Sequence, residues 1–403
     1  MNQPKYEKPV FFPNLDALRF FCFLSVFFFH SFGTEYQHIS GDPVYRFIKG
    51  FLFDNGNLGV NFFFVLSGFL ITYLLLVEKE RFSRIDIKKF YVRRVLRIWP
   101  LFYFCVFFGF VLFPLFKSAM GAAPSSETAR PLFYLLFVNN FDFILQGPPD
   151  SSVLVVLWSV AIEEQFYLFW PIVIAFVPAK RLPHVFTGII LSSLVFRYLN
   201  AGSEVVLEHH TISCISDMTI GALGAYLIFF SASFKNTIER MNPPAIAFIY
   251  IAAFAVFFFR GELFHDNAVL LSIDRLIVSI LFLLIILEQN FAARSFLKFK
   301  SLTNISRLGK YTYGLYCLHM IGILITATLL TKLGWNRTIG QVLLLEGGAS
   351  LLITIALAYA SYHLYEKKFL RLKERFALVK TQSSPRPEDA GSAEASVKNT
   401  SGL

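Results

Sequence analysis

The stretch Asn57-Leu58-Gly59-Val60-Asn61-Phe62-Phe63-Phe64-Val65-Leu66-Ser67-Gly68-Phe69-Leu70-Ile71-Thr72-Tyr73-Leu74-Leu75-Leu76-Val77 contains no charged residue. About 20 mostly apolar residues are enough for a helix to cross a bilayer core of about 30 Å. Nine further runs of this kind fall at 15–33, 96–116, 154–177, 183–200, 211–231, 243–259, 268–288, 311–331 and 341–364. The chain therefore reads as an all-α, polytopic integral membrane protein with about ten transmembrane helices. A shorter apolar stretch, Pro131 to Leu145, cannot cross and is expected to lie at the interface or re-enter. Composition agrees. Of 403 residues, 55% are hydrophobic, 16% are charged and 49 are Phe, whereas a soluble domain carries about 25% charged residues. A disordered chain, a secreted disulfide scaffold and a soluble nucleic-acid binder are excluded. Cys22, Cys105, Cys214 and Cys317 all lie in apolar runs and form no disulfide or zinc pattern. The first run lacks a small-residue cleavage site and carries Arg19, so it reads as an uncleaved anchor.

The net charge of +10 raises the question of nucleic acid, which the placement of the charges answers. Lys and Arg summed over alternating hydrophilic segments give about 27 on one side and about 8 on the other, with Arg19 and Arg275 left inside spans. The positive-inside rule then puts both termini in the cytoplasm, and an even number of spans requires both ends on one side. The charge is mostly topology, and no nucleic-acid partner is called for. Residues 1–366 read as the membrane domain and 367–403 as a cytoplasmic tail. That tail is basic at first, then rich in Ser, Pro, Glu and Lys after about Thr381, and is expected to be disordered there. No internal repeat of the transporter kind is visible.

Ionisable groups inside spans cost roughly 2.5–3.5 kcal/mol each on insertion scales and are functional candidates by default. In the first span, Arg19 and His30 are eleven residues apart. At about 100° per residue they share one stripe, separated by roughly 16 Å. Asp16, one turn before Arg19, is placed to pair with it. The bland alternative is a snorkelling Arg19 and an interfacial His30. In Trp158-Ser159-Val160-Ala161-Ile162-Glu163-Glu164-Gln165-Phe166-Tyr167, the residues Ser159, Glu163 and Tyr167 share a face at i, i+4, i+8. Two adjacent carboxylates there demand water, a cation or hydrogen-bond donors, unless they merely cap an interfacial helix end. Arg93, Arg94 and Arg97 stand before Trp99-Pro100 with Lys88 and Lys89 upstream. The i, i+3 pair Arg94 and Arg97 suits phosphate oxygens, although a positive-inside cluster accounts for the same residues. Tyr313, Tyr316 and His319 lie together, Tyr316 and His319 on one face. Asp217 lies in Ser216-Asp217-Met218, and Asp274-Arg275 reads as a self-neutralising pair. Gly59, Ser67 and Gly68 suit close helix packing. His209 and His210, after Glu208, are expected to face outward as surface.

Taken together these residues resemble the acyltransferase-3 family of integral membrane acyltransferases, which includes bacterial O-antigen and peptidoglycan O-acetylases. The resemblance runs from the first span to about Glu366. Arg19 and His30 match the family's Arg-then-ten-residues-then-His motif, and Gly59 to Ile71 resembles its second-span signature. Arg94 and Arg97 match its Arg-x-x-Arg motif, and Trp158-Ser159 through Glu163-Glu164-Gln165-Phe166-Tyr167 its Trp-Ser…Glu…Phe-Tyr block. Tyr316 to His319 and Tyr365-Glu366-Lys367 resemble its closing motifs. One departure is Ile215, where many relatives carry an Arg two positions before the Asp corresponding to Asp217. Asp217 therefore has no such Arg on its own helix.

The resemblance implies acyl transfer, usually of acetyl, from acyl-CoA to a hydroxyl of a glycan, lipid-linked sugar or small acceptor, in the cell membrane (the inner membrane if the source is bacterial). A thioester already holds the free energy of transfer, so the chemistry calls for no metal and no permanently bound cofactor. It calls for a base. Imidazole suits neutral pH, and His30 is the candidate. Glu163 is expected to orient that ring or hold acceptor hydroxyls, with Glu164 as the weaker choice. Arg94 and Arg97 are assigned to CoA phosphates at the cytoplasmic side, and Arg19 to the route of the pantetheine arm. Further candidates are Ser67, Trp158, Ser159, Tyr167, Asp217, Tyr316 and His319. A covalent route through Cys22 is disfavoured, since it sits roughly 80° off the His30 stripe. The competing class is a secondary transporter with His30 and Glu163 as a proton relay. A lipid-binding structural protein explains none of the ordered motifs.

Overall fold

The structure, a computed structural model, describes residues 12–32, 36–119, 121 and 125–379. Among them there is no strand. Long helices dominate: α1 (Leu15–Ser31), α2 (Leu58–Phe82), α3 (Ile87–Phe107), α4 (Trp158–Phe176), α5 (Leu182–Leu199), α6 (Thr211–Phe230), α7 (Pro243–Phe264), α8 (Ala268–Phe291), α9 (Thr312–Leu333) and α10 (Gly347–Ser361). Each corresponds to one of the ten apolar runs. Nine of the described helical segments are long and apolar enough to cross a membrane. The tenth, α1, has 17 residues, about 26 Å at 1.5 Å each, still within the range of membrane spans. The chain is a multi-pass membrane protein.

Helix starts follow the sequence. The Asp86 carboxylate accepts from the Lys89 amide at 2.9 Å to begin α3. Asn242 and Asn267 do the same for α7 and α8, accepting from Ala245 and Leu270 at 3.0 and 2.9 Å. These are N-cap residues satisfying amides that have no partner inside the helix. Outward-facing Phe248, Ile251, Phe254 and Leu352 are exposed, as lipid contact requires, while Phe23, Phe27, Phe62, Phe64, Phe69, Phe102 and Phe166 fill the interior. The closest approach joins α2 and α6. A Cβ on Gly68 would run into the Met218 carbonyl, and one on Gly221 into the Val65 carbonyl. Only glycine lets these backbones touch, and the contact carries Asn61 to within 3.3 Å of Asp217.

The stretch Pro131 to Leu145 does not cross. It forms two short helices, Pro131–Leu135 and Asn139–Gln146, joined at Phe137 with a left-handed φ of 55°. Gln165 on α4 holds the turn, donating to the Phe137 carbonyl at 2.8 Å and to Asn140 at 2.9 Å. At the other end of the chain, α10 continues through a π-helical segment, Tyr362–Glu366, into α11 (Lys367–Glu374). The basic beginning of the tail is thus helical, and the part expected to be disordered lies outside the described residues.

Candidate active site

Helices α1, α2, α3, α4 and α9 bring polar residues into one seam through the bundle. The first cluster in the seam joins two imidazoles. His30 sits in the last turn of α1, and His319 is fully buried on α9. His319 Nδ1 lies 2.6 Å from the Tyr316 carbonyl oxygen. A carbonyl can only accept, so in the neutral ring Nδ1 carries the proton and Nε2 has a free lone pair. That Nε2 faces His30 Nδ1 at 3.1 Å, and His30 Nδ1 also lies 3.0 Å from the Val26 carbonyl. Both neighbours accept, so the His30 proton resides on Nδ1. His30 Nε2 is left with its lone pair uncommitted, the state a general base needs.

One turn back on α9, the Tyr316 hydroxyl and Ser159 Oγ are hydrogen-bonded at 2.6 Å, one donating to the other, and both lie 3.2 Å from the Val156 carbonyl, which accepts from whichever hydroxyl is free to donate. Glu163 follows on the same face of α4. Ser67 donates to its Oε1 at 2.6 Å, and Tyr167 donates to Ser67 Oγ at 3.1 Å. The i, i+4, i+8 face of Ser159, Glu163 and Tyr167 therefore points into the bundle, as the spacing predicts. Glu164 points a different way, where Trp99 Nε1 donates to its Oε2 at 2.9 Å. Its buried Oε1 has no partner.

The seam ends among cations. The Arg94 guanidinium lies over the rings of Phe90 and Tyr167 at 5.4 and 5.3 Å, and its buried Nε has no hydrogen-bond partner. Arg97 is exposed. Arg19 is ion-paired with Asp16 at 2.6 Å, as expected from their spacing. Arg93 pairs with the buried Glu78 at 3.3 Å.

Three expectations change. Glu163 does not reach His30; the partner that orients the imidazole is His319, because Ser67 on the neighbouring helix claims the carboxylate. Asp274 and Arg275 do not neutralise each other, since consecutive helical residues point about 100° apart. Asp274 instead binds Arg260 at 2.7 Å, and Arg275 binds Asp217 at 2.8 Å. His209 is no idle surface group: its ring stacks on Phe143 at 4.1 Å and lies 4.6 Å from Trp158.

Asp217 stands apart from the seam. It is fully buried and takes Ser279 at 2.9 Å besides Arg275. The guanidinium absent at Ile215 is thus supplied from α8. Sequence reading passed over Trp99 and Arg275 as partners of Glu164 and Asp217. The only signal was that a carboxylate buried in an apolar helix requires a donor from elsewhere.

The acyltransferase domain that defines the acyltransferase-3 family matches residues 12–363. The O-acetyltransferase OatA of Staphylococcus aureus (strain NCTC 8325 / PS 47) is 30% identical over 336 residues, covering 78% of this chain and 51% of that protein. The candidate peptidoglycan O-acetyltransferase YrhL of Bacillus subtilis (strain 168) is 27% identical over 380 residues, covering 88% of this chain and 54% of that protein. The chain thus spans about half the length of these curated relatives. No solved structure matches it. With the domain match spanning nearly all of the helical bundle, the chain belongs to the acyltransferase-3 family of membrane acyltransferases.

Proposed function

We propose that this protein moves an acyl group, most simply acetyl, from acyl-CoA to a hydroxyl of a cell-envelope glycan, with His30 as the base. The observation that carries this reading is the His30–His319 pair, whose hydrogen bonds leave His30 Nε2 as a free acceptor. The acceptor hydroxyl would give its proton to that nitrogen as its oxygen attacks the thioester carbonyl. The new C–O bond forms, the C–S bond breaks, and the proton leaves with the CoA sulfur. His319 and the Val26 carbonyl would stabilise the imidazolium between these steps.

Arg94 and Arg97, at the end of the seam expected from the charge count to be cytoplasmic, would hold the phosphates of CoA on the side where the donor is made. Glu163, Ser67 and Tyr167 lie along the seam between those cations and the imidazoles, and would position the pantetheine arm or an acceptor hydroxyl. Relatives named for O-acetyl transfer, one of them for peptidoglycan, favour a glycan acceptor. A proton relay from His30 to Glu163 has less support, because Glu163 is bonded to Ser67 and the imidazole to His319.

The test is transfer of labelled acetyl from acetyl-CoA by membranes containing the protein, with mass spectrometry of envelope glycans from cells with and without the gene. A lost acetyl mass on a glycan supports the reading. An unaltered glycan profile together with no CoA-dependent labelling would overturn it.

A further inference from the structure

We propose that Lys373, on the C-terminal helix α11, is a third cation of the phosphate site formed by Arg94 and Arg97. The proposal rests on the donor reading above and adds a residue outside every motif that led to it.

Two bonds fix the register of the C-terminal segment against α3. The Tyr365 hydroxyl donates to the Pro100 carbonyl at 3.3 Å, and Arg93 Nη1 donates to the Phe376 carbonyl at 2.9 Å. The segments therefore run antiparallel, with residue 365 level with 100 and residue 376 level with 93. Lys373, one helical turn before Phe376, falls beside the turn that carries Arg94 and Arg97. The charges of Arg97, Arg94 and Arg93 all bear on its ammonium.

Two of the neighbouring cations have a counter-charge. Arg93 has Glu78 and Arg19 has Asp16. Arg94, Arg97 and Lys373 make no ion pair and no side-chain hydrogen bond among the described residues. The acids that bear on them are Glu163, which accepts from Ser67 at 2.6 Å, Glu164, which accepts from Trp99 at 2.9 Å, Glu366, which accepts from Ser361 at 2.8 Å, and Glu374, exposed on the far end of α11; none is within ion-pair distance of the three cations. Like charges held together repel, and a fold that keeps three of them together, one with a buried guanidinium nitrogen left without a partner, is organised for an anion of more than one charge. Phosphate esters fit. Guanidinium groups suit paired phosphate oxygens, and an ammonium serves as a point charge beside them. A nucleotide donor and an anionic lipid headgroup both carry that chemistry, and the donor is favoured because the cations sit at the end of the seam that leads to His30.

The experiment uses the full chain in nanodiscs of phosphatidylcholine, with CoA as the probe, and measures Kd by titration calorimetry. Lys373→Gln should raise the CoA Kd about tenfold, the value of one charge-assisted contact. Lys373→Arg should bind within about threefold of the parent, and Arg371→Gln, an exposed charge on another face of α11, should bind like it. A melting curve for each variant verifies folding. Equal CoA affinity for Lys373→Gln and the parent would overturn the role of Lys373 while leaving the donor reading intact. Failure of the parent itself to bind CoA would overturn both. If Lys373→Gln instead abolished only the stabilisation conferred by added phosphatidylglycerol, the anion would be a lipid headgroup and the donor assignment of Lys373 would fall.

Discussion

His319 Nε2 stands 3.1 Å from His30 Nδ1, so one imidazole fixes which nitrogen of the other is free. Loss of a positioned general base costs about 10²- to 10⁴-fold in rate, and His30→Gln should lose acetyl transfer by that factor while still folding and binding CoA. His319 acts through its acceptor lone pair. His319→Gln keeps an acceptor and should retain more activity than His319→Leu, which leaves the His30 proton only the Val26 carbonyl. Rates with labelled acetyl-CoA decide the matter. Equal losses in the two His319 variants would mean that packing, not orientation, is what His319 provides.

Arg94→Ala with Arg97→Ala should raise the donor KM well above its effect on kcat, as lost ground-state binding does. An unchanged donor KM would reduce the pair to a topological signal.

The ten crossings, the interior stripe of Arg19 and His30, and the inward face of Ser159, Glu163 and Tyr167 were legible from hydropathy and helical spacing, which are local properties. The partners were not. Whether Glu163 meets His30 or Ser67 depends on how α2 seats against α4, and α2 is drawn inward by glycine contacts with α6 that no single helix displays. Asp217 and Arg275 are 58 residues apart, and nothing within either helix foretells that they meet. Lys373 was hidden for a similar reason. A lysine in a basic tail looks like solvent-facing charge until the register of α11 against α3 is known.

Glu208, on the short helix Glu204–His209 between α5 and α6, gives a pH dependence. Burial alone would raise its carboxyl, but Arg260, Arg275 and Arg197 outweigh burial and hold it down at about 2. An unfolded Glu titrates near 4.3, to a rough approximation. The folded value is the lower one, so this stabilisation is present in full above about pH 5 and is lost as pH falls from there toward about 2. Over that window the Tm of Glu208→Gln in detergent should fall less steeply than that of the parent. Parallel curves would show that other groups set the acid sensitivity.

Topology is tested by single cysteines in a cysteine-free background. Residues 88, 294 and 373 should react with an impermeant thiol reagent only from the cytoplasmic side, and residues 38, 150 and 332 only from the opposite side. Labelling of 88 and 332 from one side would break the ten-span arrangement.

The Asp217–Arg275 pair separates scaffold from chemistry. Both residues are buried, at 0% and 1% exposure, and sit 2.8 Å apart in a bundle interior where neither charge can be hydrated. Removing one partner of such a pair typically costs about 3–5 kcal/mol when the other charge is left uncompensated, and the loss should be smaller for Asp217→Asn, where Glu208 still faces Arg275 at 3.5 Å. Asp217→Asn and Arg275→Gln should each lower the Tm sharply. The double variant removes both charges together and should be more stable than the sum of the single losses predicts, a positive coupling readable from a double-mutant cycle. Activity adds the second readout. If the pair is scaffold, transfer in the double variant should recover along with its Tm. If the double variant regains stability but stays inactive, the Asp217 carboxylate does more than hold α6 to α8, and the site extends beyond the seam that ends at His30.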